Sequence, residues 1–225
     1  MNTIKARLQA IHHDIAQAKS ATQNVTLVAV SKTQPASVIR EAFQAGQIQF
    51  GENYVQECLT KQQALTDLAI EWHFIGPIQS NKTQDIAQHF SWVHSVDRLK
   101  IAKRLNNARP TQLPPLQICI QTNISHENTK SGILIEEIEA LASAISAFPN
   151  ITLRGLMAIP APNQSIELQH AQFARIKQCF DTLNAKGFNL DTLSIGMSDD
   201  YIVAIQEGAT IVRIGSKLFG ARQAN

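Results

Sequence analysis

Short runs of consecutive apolar residues alternate, from one end of the chain to the other, with longer stretches whose apolar positions recur every three or four residues. The runs are Val25 to Val30, Ile48 to Phe50, Ile70 to Ile75, Trp92 to Val96, Leu116 to Ile120, Ile151 to Met157, Leu193 to Ile195 and Ala209 to Ile214. Each is short and bounded by polar or turn-forming residues, which predicts eight strands buried on both faces. The stretches between them, such as Leu134, Ile138, Leu141 and Ile145, or Ile166, Phe173, Ile176, Phe180 and Leu183, place one apolar face of a helix inward. Ile4, Leu8, Ile11 and Ile15 predict one further helix before the first strand. Eight such units without an interrupting linker predict an α/β fold, a single (β/α)8 TIM-type barrel with an extra N-terminal helix. An open doubly wound sheet is the alternative, but no GxGxxG follows any run, which weakens its dinucleotide-binding version.

Composition narrows the setting. With 225 residues, 44% of them hydrophobic, the chain has material for one full-sized core, and residues 1–225 read as a single domain. Twenty Lys and Arg against 18 Asp and Glu, spread along the chain, leave a net charge of +2 and no basic arm or acidic tail. Neither nucleic acid nor membrane is therefore the expected partner, and a small ligand is. The N-terminus has no apolar core of signal-peptide length and no later segment is long and apolar enough to span a bilayer, so the expected location is cytoplasmic. Cys58, Cys119 and Cys179 are odd in number and lack CxxC spacing, and the seven histidines form no HExxH. Disulfide and metal chemistry are not expected. No GxSxG elbow and no GxxxxGK[ST] loop occur.

In a barrel of this type the active face lies at the carboxyl ends of the strands. Lys32 stands at the end of the first run, in "TLVAVSKTQP". A lysine is most often a solvated surface group, but at the mouth of an apolar barrel it is partly desolvated. Desolvation favours the neutral amine that attacks an aldehyde to form an imine. In "ATIVRIGSKLFGAR" the last run is followed by Gly215 and Ser216, which predict a short helix whose first backbone N–H groups bind phosphate. The seventh run ends in "SIGMSDD", which sets Ser198 beside them; the alternative reading makes Ser198 a helix N-cap, with Asp199 and Asp200 at the positive end of the helix dipole. Asn53 after the second run, Lys82 after the third, and Asn123 and Lys130 after the fifth add amides and cations to the same mouth, which suits an anionic ligand.

The blocks "VAVSKT", "FGENYVQE", "WHFIGPIQSNK", "TNISHENTKSG", "RGLMAIP" and "LSIGMSDDYIVAIQEGATIVRIGSKLFGAR" follow one another over nearly the whole chain. In that order they resemble the YggS/PROSC family of pyridoxal phosphate homeostasis proteins, related to the barrel domain of alanine racemase. Ile195, where family members often have methionine, and Pro77-Ile78 are small departures. The resemblance implies that Lys32 holds pyridoxal 5'-phosphate as an internal aldimine. It also implies that Ser198, Gly215 and Ser216 hold the phosphate, that Arg213 faces the pyridine nitrogen, and that Asn53 lies near the ring or the aldimine. A guanidinium only donates, so the ring nitrogen facing it stays unprotonated and the cofactor is a weak electron sink.

The function this implies is a carrier of pyridoxal 5'-phosphate in cofactor homeostasis, without strong catalysis of its own, with cofactor-free enzymes as partners and a monomer as the expected state. The alternative is an amino-acid racemase, which needs acid and base groups on opposite faces of its substrate. In related racemases the second group is a tyrosine from an additional C-terminal domain. Here only Tyr54 and Tyr201 occur, both at expected helix starts, and the chain stops at Asn225 soon after its last strand. A Schiff-base aldolase is a third reading, but those barrels usually carry the lysine on a late strand.

Overall fold

A computed structural model describes residues 3–124, 131–161 and 165–220. Eight parallel strands close in chain order into a barrel: β1 (Thr26–Val30), β2 (Gln49–Glu52), β3 (Glu71–Phe74), β4 (Trp92–Val96), β5 (Leu116–Thr122), β6 (Ile151–Ala158), β7 (Thr192–Ser194) and β8 (Ile211–Ile214). Ahead of β1 lies α1 (Ile4–Ala18), and the crossovers contain α2 (Ala36–Gln44), α3 (Val55–Ala64), α4 (Thr83–His89), α5 (Leu99–Ala108), α6 (Ile138–Ile145), α7 (Ile166–Ala185) and α8 (Tyr201–Gln206), with α9 (Ser216–Phe219) after β8. The predicted (β/α)8 barrel with an additional N-terminal helix is the observed architecture. Closure is made by β8 on β1, with Thr26 opposite Ile211 and Ala29 opposite Ile214.

Hydrogen bonds set the strand limits where hydrophobicity alone does not. The Ile70 N–H turns back to the Leu68 carbonyl and the Ala209 N–H to that of Ala204, so these two apolar residues close turns instead of opening β3 and β8. Conversely, β5 runs two residues past its apolar stretch because Gln121 and Thr122 keep pairing with Met157 and Ala158 of β6. Helix faces follow the predicted spacing in their interiors and depart from it at their ends. Phe173, Ile176, Phe180 and Leu183 of α7 are buried, but Ile166 in its first turn is 62% exposed. Leu134 likewise precedes α6 and stays partly exposed, while Ile138, Leu141 and Ile145 are buried.

Apolar side chains form two separate bodies. The larger lies between barrel and helices, as the right-handed crossovers of a parallel barrel require. A smaller one, of Val28, Trp92, Cys119, Met157 and Ile211, fills part of the barrel interior. Helix α1 packs on α2, α8 and α9 through Leu8, Ile11 and Ile15. It is tied to the last two by Asp14, whose carboxylate accepts from the Tyr201 hydroxyl at 2.5 Å and from Lys217 Nζ at 3.2 Å.

Candidate functional site

Lys32, Asn53, Ser198, Arg213, Gly215 and Ser216 all line one cavity of about 260 Å³ at the carboxyl ends of the strands. Barrel closure explains the convergence. The first and last strands are neighbours, so the residues after β1 and those after β8 meet although some 180 positions separate them in the chain. Val30, Ile75, Ile159 and Met197 give the cavity apolar walls between these polar groups, the usual make-up of a small-ligand site.

Each polar group is held by its surroundings. Gly215 passes close beneath β1, where a Cβ would lie 3.3 Å from the Val30 carbonyl oxygen. Ser198 Oγ lies 3.4 Å from both the Gly215 and the Lys217 backbone N–H, which donate to it. Ser198 is thus not the N-cap of α8. Asp200 takes the position before that helix, and its carboxylate turns back to accept from the Met197 N–H at 2.6 Å, because the 197–200 turn puts that donor within its reach. Burial raises the Asp200 pKa, with the Met197 bond and Arg213 opposing. Asp199 stands exposed at the cavity rim. Asn53 joins the cavity to a neighbouring hollow that holds Tyr54, Gln79 and Lys82. Lys82 is therefore beside the cavity and not in its wall, and Lys130 lies outside the described residues.

Arg213 is 3% exposed. Its Nη1 donates to the Ser194 carbonyl at 2.7 Å and to Ser194 Oγ at 2.6 Å, and its Nη2 to the Ala158 carbonyl at 3.1 Å. Burial brings the guanidinium down to about 10, with Asp200 acting against it, so it remains a cation at neutral pH. Beyond it runs a buried chain that the sequence does not announce, since His73 and His94 lie inside apolar runs and match no ligand spacing. Ser194 Oγ is 2.8 Å from His94 Nδ1, and His94 Nε2 is 2.9 Å from His73 Nδ1. The first of these contacts joins β4 to β7, which are not neighbours, so it crosses the barrel interior.

Burial holds both imidazoles neutral, pulling His73 down to about 3 and His94 well below its ordinary value. Because Arg213 can only donate, the Ser194 oxygen accepts from it. Ser194 and His94 share one further proton and His94 and His73 another, so the chain is continuous from the guanidinium to β3.

The donor set fits an anionic ligand with an aldehyde: an amine in the turn after β1, a permanent cation in the floor and backbone N–H groups at the β8 turn. Asn53 Oδ1 adds a buried acceptor with no hydrogen-bond partner in the protein. Among the described residues no group of three or more His, Cys, Asp or Glu is placed to hold a metal ion, and no helix is long and apolar enough to cross a membrane. Cys58 and Cys119 are buried thiols whose pKa values burial raises.

A family model described as alanine racemase, N-terminal domain, matches residues 6–223. A curated relative from Pseudomonas aeruginosa, named pyridoxal phosphate homeostasis protein, is 55% identical over 226 residues, covering 99% of this chain and 97% of its own. The structure of PipY from Synechococcus elongatus PCC7942 with PLP bound is 36% identical, with a TM-score of 0.88, and covers 97% of this chain and 100% of that one. Alanine racemase from Corynebacterium glutamicum shares the fold at a TM-score of 0.72 and 18% identity, over 96% of this chain and 62% of the racemase.

Proposed function

This chain belongs to the pyridoxal phosphate homeostasis proteins of the alanine racemase N-terminal domain family, and from that premise we propose that it binds pyridoxal 5'-phosphate in the cavity between β1 and β8 and passes it on. The observation that carries the reading is the meeting of Lys32, Arg213, Ser198 and the Gly215-Ser216 turn in one cavity. When bound, the cofactor supplies an aldehyde that condenses reversibly with amines. Lys32 provides the amine on the protein side. The Ser198 hydroxyl and the N–H groups of the β8 turn hold the phosphate, and Asn53 Oδ1 accepts from the ligand within the apolar wall. Arg213, fixed by three hydrogen bonds and unable to accept one, keeps the ring nitrogen unprotonated. The whole chain is then one cofactor-binding unit, working in the cytoplasm and supplying enzymes that lack their cofactor.

Racemisation is the second reading, and the environments of the two tyrosines weigh against it. The Tyr201 hydroxyl is committed to Asp14 and Lys217 between helices α1, α8 and α9. Tyr54 is 58% exposed in the neighbouring hollow. Neither is set opposite Lys32 as a second acid or base.

The test is a visible spectrum of cofactor-loaded protein before and after borohydride, for wild type and Lys32→Ala, followed by incubation of the loaded protein with a cofactor-free enzyme. A reducible absorbance band in wild type, its loss in Lys32→Ala and recovery of the recipient enzyme are expected. A Lys32→Ala variant with a normal reducible band would move the amine elsewhere, and a recipient that stays inactive would remove the carrier role.

A further inference from the structure

Lys32 is the second residue of a tight turn that the Gln34 N–H closes on the Ser31 carbonyl at 3.0 Å. The third residue, Thr33, has a φ of +65°, a region that β-branched residues rarely enter and where glycine would be at ease. Such a backbone persists only where its surroundings over-determine it. Here they reach it from both sides. The Ser31 N–H donates to the Gly51 carbonyl at 3.0 Å, and the Ser31 hydroxyl donates to Glu52 Oε1 at 2.6 Å. The Ser31 carbonyl also accepts from Lys61 Nζ at 2.7 Å. On the far side of Lys32, the Thr33 N–H donates to Glu57 Oε1 at 2.6 Å.

One ion cluster makes three of those bonds. Lys61 Nζ lies 2.7 Å from Glu52 Oε1 and 2.6 Å from Glu57 Oε1, so with the Ser31 carbonyl its three donors are all used. Glu52 is fully buried and Lys61 is 6% exposed, a costly arrangement that stability alone seldom favours over apolar packing. What the cluster does with that cost is specific. Its bonds outside itself go to Ser31 and Thr33, the two neighbours of Lys32.

We propose that Lys61, Glu52 and Glu57 are positioning residues for Lys32: they clamp the strained turn and aim the lysine amine into the cavity. The inference rests on the reading of Lys32 as the residue that takes the cofactor aldehyde. Glu57 is the member to remove, since its side chain is 29% exposed and Lys61 keeps Glu52 and Ser31 as partners without it.

The experiment compares wild type, Glu57→Ala, Glu57→Gln and the double variant Thr33→Gly/Glu57→Ala. Two readouts are taken: the rate at which a borohydride-reducible linkage forms with pyridoxal 5'-phosphate, and calorimetric affinity for pyridoxine 5'-phosphate, which has the ring and phosphate but no aldehyde. Glu57→Ala is expected to slow linkage about tenfold, in line with the cost of misplacing a reacting group, while affinity for the aldehyde-free analogue is unchanged. Glu57→Gln keeps an acceptor for the Thr33 N–H and should retain most of the rate. Thr33→Gly should restore much of what Glu57→Ala loses, because glycine holds the turn without the clamp. Unchanged linkage in Glu57→Ala, or linkage and analogue affinity falling together, would overturn the positioning role. A wild-type protein with no reducible linkage at all would instead overturn the function from which the inference starts.

Discussion

A guanidinium taken out of water must find acceptors in the protein, and Arg213 finds them on β6 and β7. Replacing it with Glu puts a proton acceptor where there was only a donor, so cofactor bound to Arg213→Glu should carry a protonated ring and absorb differently. An unchanged spectrum at full occupancy would mean that Arg213 does not face the ring nitrogen. The histidines behind Ser194 give a second, independent prediction. Unfolded, His73 titrates near 6.5, whereas in the fold burial holds it at about 3. Between those values the unfolded chain binds the extra proton, so the contribution of His73 to stability is complete above pH 7 and is lost as pH falls through 6.5 towards 3. At pH 5 that loss is about 2 kcal/mol. Urea unfolding at pH 7 and pH 5 should therefore show a loss about 2 kcal/mol smaller in His73→Gln than in wild type. Equal losses would mean that His73 is not held neutral. Lys32 and Ser198 were legible as candidates for the cavity because they follow apolar runs, and Arg213, which lies inside the last run, through the family resemblance. The Arg213–Ser194–His94–His73 chain was not, because it exists only once β4 and β7 face each other across a closed barrel. The clamp on Lys32 was hidden likewise, since Glu52 and Lys61 meet only when α3 packs back over the barrel.

At the level of elements, the alternation of runs and amphipathic stretches reported every strand, while their limits belonged to hydrogen bonds that no residue type announces, as at Ile70 and Ala209. One loop position ties two strand ends to the site. Gly76, just after β3, lies against the backbone that follows β2: a Cβ there would be 2.2 Å from the Asn53 carbonyl oxygen and 2.7 Å from its Cα. Neither atom is the end of a flexible side chain, so the backbone at Asn53 must move. Its own carbonyl is meanwhile held by the Ser95 hydroxyl at 2.5 Å, which keeps Gly76 from yielding instead. Gly76→Ala is expected to destabilise the fold by about 1–3 kcal/mol, the usual range for forced overpacking, and to weaken pyridoxine 5'-phosphate binding at the same time. A variant with native unfolding behaviour and native affinity would show that the β3 end is more compliant than this contact allows.

For the whole molecule, the question is what a barrel shared with racemases does when, on the proposed reading, Lys32 supplies the amine and Arg213 faces the ring nitrogen. The fold itself does not answer it, since the likeness to Corynebacterium glutamicum alanine racemase at 18% identity is a likeness of architecture. On the proposed reading, the chemistry of the site favours the carrier. Arg213 donates and cannot accept, so facing the ring nitrogen it would limit how far charge from a substrate carbanion can be drawn into the ring. Inversion further requires a second acid or base across the substrate from Lys32, and Tyr201 is turned away into the α1 contact by its bond to Asp14. Exchange is subject to neither limit, because an incoming amine needs only to displace Lys32 from the aldehyde. Loaded protein incubated with L-alanine in deuterated water should therefore give no D-alanine by chiral chromatography at enzyme-like rates, on the order of one turnover per second or faster, while the same preparation reactivates a cofactor-free enzyme. Slow deuterium incorporation with retained configuration fits this expectation, since it requires a base on one face only. Inversion at enzyme-like rates would make the protein a racemase and would direct attention to Tyr54, whose exposed position beside Asn53 would then have to change when substrate binds.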